Sequence, residues 1–184
     1  MTKINDLTGF PPYFINGYIK EQLKYFDLLT GSEVPDPITP VTPSNIDDLY
    51  SNYMETQLID NPLMIVYDRM LRVNPSPLYA RRREQTVYTI HSSSLENVLN
   101  AHRVISEALD RMDASAQDVN AWAASNPILD EFGNAVKHNI FFHSFRVYQL
   151  NETRDLLDLS SVRTIFRNKI IVEYDYHVVS PYYD

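Results

Sequence analysis

Between Ala80 and Met112 the apolar pattern changes period without a break in the chain, and that switch constrains the fold more than any other stretch. In its first half, RRREQTVYTIHSSS, the residues Arg82, Glu84, Thr86, Tyr88 and Ile90 fall on one side. Arg83, Gln85, Val87, Thr89 and His91 fall on the other. Threonine, valine, tyrosine and isoleucine at period two are strand chemistry. In the second half Leu95, Val98, Leu99, His102, Ile105, Leu109 and Met112 recur at three- and four-residue steps, which predicts one face of a long amphipathic helix. Ser93 with Glu96 reads as a capping box at its start. A strand that runs directly into a helix needs a sheet to join and a layer to pack on.

The flanking segments supply both. From Pro12 the chain predicts a helix stopped by Gly31, with Ile15, Tyr18, Ile19, Gln22, Tyr25, Phe26 and Leu29 on its apolar face and Gly17 weakening it slightly. Pro35, Pro37, Pro40 and Pro43 then follow so densely that neither helix nor central strand is expected, only an extended linker or arm. Ser44 can cap a short helix over Ile46–Gln57. Leu63–Leu71 reads as a buried strand, and the Asn74-Pro75-Ser76-Pro77 turn leads back into the central unit, so the two should pair antiparallel. Further on come a helix over Ser115–Ala124 anchored by Trp122, a loop over Asp130–Asn139, and a strand over Ile140–Leu150. In that strand Phe141, His143, Phe145 and Val147 are expected to face opposite to Phe142, Ser144, Arg146 and Tyr148. A helical turn over Thr153–Leu159 precedes a long last strand whose Ile170, Val172, Tyr174, Tyr176 and Val178 make one apolar face. The prediction is an α+β fold: a mainly antiparallel sheet of about four strands packed by one long amphipathic helix, with an N-terminal helix and a proline-rich arm. By segment, residues 1–31 are the N-terminal helix, 32–45 the linker or arm, and 46–184 the α+β domain.

Composition then narrows the function classes. A net charge of −8 lacks the basic footprint of a general nucleic-acid binder. With no cysteine there is no disulfide, thiolate nucleophile or thiolate metal site. MTKINDLTGF has no apolar h-region and no run approaches membrane-spanning length, so a protein that stays in a cytoplasm-like compartment is expected. Four glycines and the absence of a phosphate loop, G-x-G-x-x-G, G-x-S-x-G or H-E-x-x-H leave no catalytic motif. The spacing of His138 and His143 has little metal-ligand specificity, and His91, His102 and His177 lie far apart, with His102 read as a hydrogen-bonded core or boundary histidine. No enzyme, cofactor or metal is therefore expected. The thirteen tyrosines and eight phenylalanines fit either core or surfaces buried against partners. In Arg81-Arg82-Arg83, the first and third residues share one strand face. The readings are a charge-protected edge, a contact of Arg81 and Arg83 with a neighbouring subunit, and, third, a phosphate site.

The segments LMIVYDRMLRVNPSPLYARRREQTVYTIHSSSLENVLNAHRVISEAL and VRTIFRNKIIVEYDYHVV resemble the tail terminator (tail-completion, sheath-stabilising) proteins of contractile-tailed bacteriophages. The resemblance covers about two-thirds of the chain and lies in the order of turn, strand and long helix. It implies a homo-hexameric ring in the neck of the virion, assembled in the host cytoplasm, which caps the tail tube, ends its polymerisation and offers the head-joining surface. The implied partners are further copies of the chain, tail tube and sheath proteins, and head connector or adaptor proteins. DNA would pass through the lumen without specific binding, slipping past a negative wall. Arg81, Arg83, Pro35, Pro37 and Pro40 are the expected interface residues, and no membrane is implied. The competing readings are another neck component, such as a head-completion adaptor or tube protein, and a small ligand-binding domain or enzyme with a spatially assembled histidine site.

Overall fold

The computed structural model describes residues 11–29, 38–40, 63–70, 81–129, 132–136, 140–149 and 166–178. Pro35, Pro37, His138, the helix expected over Ile46–Gln57, the Asn74–Pro77 turn and the turn expected over Thr153–Leu159 lie outside these residues. The described elements are helix α1 (Pro11–Tyr25) and strands β1 (Ile38–Pro40), β2 (Met64–Met70) and β3 (Arg81–Ser92). They continue with helices α2 (Leu95–Leu109) and α3 (Asp113–Ser125), the two-residue strands β4 (Ile128–Leu129) and β5 (Ala135–Val136), then β6 (Ile140–Gln149) and β7 (Phe166–Val178).

The class is α+β. One sheet runs in the order β1-β2-β3-β7-β6, which puts the strand of the period-switching unit at its centre. β2, β3, β7 and β6 are antiparallel neighbours; Tyr67 faces Tyr88, and Tyr88 in turn faces Ile170. Part of the expected arm is itself a strand. Ile38–Pro40 joins β2 in parallel, with Pro40 opposite Tyr67. It does so at the sheet edge, the position where proline's missing N–H is tolerated. The expected Asp130–Asn139 loop also holds structure, because Ile128–Leu129 pairs with Ala135–Val136 around Gly133, whose φ of 79° suits glycine.

One face of the sheet carries Tyr88 and Ile90 from β3 and Ile170, Val172, Tyr174 and Tyr176 from β7, all in one buried cluster with residues of α1, α2 and α3. The buried tyrosines each have a hydroxyl partner: Tyr88 donates to Asn16 Oδ1 at 2.7 Å, Tyr176 to Glu84 Oε1 at 2.8 Å, and Tyr174 shares a bond with Thr86 Oγ1 at 3.1 Å. Hydrogen-bonded tips let these large rings be wholly buried, so part of the tyrosine excess is core.

The helices turn differently from their predicted stripes. In α2 the buried residues are Val98, Ala101, Val104, Ile105, Ala108 and Leu109, while Leu95, Leu99 and Met112 are exposed. Ala101 and Ala108, absent from the predicted stripe, sit against the core, where their small side chains allow close approach. The N-cap is Ser94, accepting from the Asn97 amide, so the cap lies one residue beyond the expected Ser93. In α1 the buried set is Phe14, Ile15, Tyr18, Ile19 and Leu23 with the two prolines, and Tyr25 and Phe26 point outward. Gly17 is a packing requirement here: a Cβ would fall inside the ring of Trp122, which crosses from α3 and donates its indole N–H to Glu21.

The sheet edge at β6 is closed by the α2–α3 corner. Asn120 of α3 accepts from the Phe142 amide at 3.0 Å and donates to the Phe142 carbonyl at 2.9 Å, as a neighbouring strand would. The Val147 amide donates to Asp110 Oδ1 at 3.0 Å. Part of an otherwise open edge strand is thereby satisfied. The corner itself holds Met112 at φ 49°, a region few residues other than glycine adopt.

Candidate functional site: the outer face of β3, β7 and β6

The face opposite the helices divides in two. Towards β2, Met64, Val66, Thr89 and His91 are buried on it. Towards β6 it is open, and there the strands present Arg81, Arg83 and Gln85, then His177, Asp175 and Glu173, then Phe141, His143, Ser144, Arg146 and Tyr148.

Register explains which of these meet. Arg83 lies directly opposite Asp175 and Gln85 opposite Glu173. Arg83 binds Asp175 with two parallel bonds, Nε to Oδ1 at 2.7 Å and Nη2 to Oδ2 at 3.0 Å. Arg81 reaches diagonally to Asp175 Oδ2 at 3.1 Å, and Gln85 donates to Glu173 Oε2 at 2.9 Å. Burial alone would raise the Asp175 pKa, but the Arg83 and Arg81 guanidiniums outweigh it and hold the carboxyl below its usual range. Arg81 and Arg83 do share a face, as expected from the period of two. Their first partner is Asp175 of the same chain, with about half of each side chain still exposed. Arg82 has the other orientation, acting on Tyr176 on the core face. Of the prolines expected at an interface, Pro40 is on the edge strand β1.

A bulge in β6 makes the second half of the site. Phe142 pairs with Tyr176 and Ser144 with Asp175, so His143 is an extra residue with no partner across the ladder. The predicted alternation of β6 therefore breaks: Phe142 and Phe145 both face the core, with ring centroids 5.2 Å apart. His143 and Ser144 are both left on the outer side, re-aimed as bulges commonly do. His143 Nε2 lies 2.8 Å from His177 Nδ1, the rings stack at 4.9 Å between centroids, and Phe141 packs against both. Burial, then the Arg81 charge and His177, push the His143 pKa down against the pull of Asp175 and Asp113. The sequence placed His143 and His177 far apart, whereas the structure brings them together across the strand pair. No cluster of three or more His, Asp or Glu fit to hold a metal occurs among the described residues.

His91 belongs to the buried end of the same face. Burial drives its pKa to about 3, helped by the charges of Arg167 and Lys169 on β7 and opposed by a backbone hydrogen bond at Thr89. Its imidazole is neutral in the folded protein at any ordinary pH.

No protein-family model matches the chain, and no curated protein matches its sequence.

Proposed function

We propose that the chain is a structural subunit of the neck of a contractile-tailed bacteriophage, a tail terminator whose copies close into a ring. The ring caps the tail tube, ends its polymerisation and offers the head-joining surface. The observation that carries the reading is the open outer face of β3, β7 and β6. There Arg81 and Arg83 are held flat by Asp175 and flanked by Phe141 and Tyr148, each more than two-fifths exposed. Arginine and aromatic side chains are the residues that interfaces favour, and a pre-ordered face loses little side-chain entropy on docking. In this reading the ion-paired arginines are a platform for a neighbour's polar groups. The long helix α2 and the sheet make the rigid body of each subunit. The order of elements that resembles tail terminators supplies the rest of the support, and the net negative charge suits a lumen through which DNA slides.

The test is imaging. Purified protein mixed with tail tubes should give rings at tube ends in negative stain, and labelled protein should lie at the head–tail junction of the virion. Absence from that junction overturns the proposal.

A further inference from the structure

We propose that His143 and His177 form a two-histidine site for a divalent cation of the zinc type, on the outer face of the sheet. Two ring nitrogens on neighbouring strands, Nε2 of one and Nδ1 of the other, converge to 2.8 Å. In the metal-free pair one of them must donate and the other accept, because two lone pairs or two N–H groups facing each other at that distance would repel. Zinc bound to both requires nitrogens only slightly further apart, at about 2.0–2.1 Å from the metal each, so a small ring rotation opens the site. The donor ring moves its proton to its outer nitrogen, where the acceptor ring already holds its own, and each ring then gives a lone pair to the metal. Water completes the coordination.

Three features of the surroundings favour the exchange. The bulge at His143 sets its ring on the same side as His177, an arrangement that regular alternation would not produce. The Phe141 ring walls one side and limits the rotamers of both histidines. Asp175, two residues before His177 on the same strand face and opposite Ser144, sets a carboxylate beside the pair. Arg81 and Arg83 would repel a cation, but the two carboxylates of Asp175 and Glu173 lie against them and offset their charge. Asp113, at the first turn of α3, acts on His143 with the opposite sign and adds negative potential.

Chelator-treated full-length protein is titrated with zinc chloride by calorimetry at neutral pH, alongside His143→Gln, His177→Gln and, as a control, His102→Gln. Glutamine keeps a polar side chain at each half-exposed site, and urea melts of each variant verify its fold. The expected result is one zinc ion per chain, with affinity reduced at least about 10-fold in either site variant and unchanged in the control. Affinity should also fall on acidification, as protons compete for the same nitrogens. Binding as tight in the His143→Gln and His177→Gln variants as in the parent overturns the proposal, as does the absence of zinc binding in the parent.

Discussion

His91 makes the folded protein acid-sensitive, and the size of the effect follows from its burial. The imidazole is fully buried in β3, and its pKa falls from an ordinary 6.5 to about 3. The unfolded chain therefore takes up a proton that the folded one refuses. Stability from this group is complete above the unfolded pKa and is lost as pH falls from there towards the folded one. Each pH unit inside that window costs about 1.4 kcal/mol, so acidifying from roughly pH 6.5 to roughly pH 4.5 should remove about 2–3 kcal/mol. That is a sizeable part of the 5–15 kcal/mol typical of a domain. His102 and His143, also lowered by burial, add losses of the same sign. Asp175 acts only below the ordinary carboxylate range, since its pKa is lowered from 3.8. The perturbation is His91→Gln, which removes the titration and keeps a polar side chain. Urea melts followed by the fluorescence of the single tryptophan, Trp122, give stability as a function of pH. The variant should be less stable at neutral pH through poorer packing, yet its stability should fall with acidification by about 1.4 kcal/mol per unit less than the parent's. Parallel curves for the two proteins would refute the assignment.

Gly17→Ala should destabilise by about 1–3 kcal/mol, reversing the usual gain of alanine in a helix, because the new methyl displaces the Trp122 ring; thermal melts report it. Asn120→Ala should cost about 1–3 kcal/mol by leaving the Phe142 amide and carbonyl unpaired, with faster aggregation seen by light scattering. Asn120→Asp should be no better, since a carboxylate can accept from that amide but repels the carbonyl. Met112→Gly should stabilise by up to about 1 kcal/mol in urea melts, because relief of a φ of 49° outweighs the small apolar burial that an exposed side chain provides.

Local periodicity was enough to place the main elements. The strand ending at Ser92, the helix that follows it, the helix carrying Trp122 and the apolar row Ile170, Val172, Tyr174 and Tyr176 were all legible, because each is written in neighbouring residues. The antiparallel pairing of β2 with β3 was expected from Asn74-Pro75-Ser76-Pro77, read in the sequence as a turn. What the sequence left open depends on residues far apart meeting. The rotation of α2 towards its alanines is decided by how near the sheet lies, and hydrophobicity alone cannot express closeness. Gly17 reads as a weak point of a helix until Trp122 is laid across it. The bulge at His143 adds one residue to one strand only, so no pattern within that strand marks where the phase slips. The joining of Arg81 and Arg83 on Asp175, and of His143 with His177, requires the register of three strands. The sequence by itself determined where the three described helices and the strands β2, β3, β6 and β7 lie, and which face of β7 is apolar. Only the tertiary structure decided which polar groups meet, because hydrogen-bond and ion-pair partners are set to within an ångström by long-range pairing, whereas hydrophobic patterning needs only the right side.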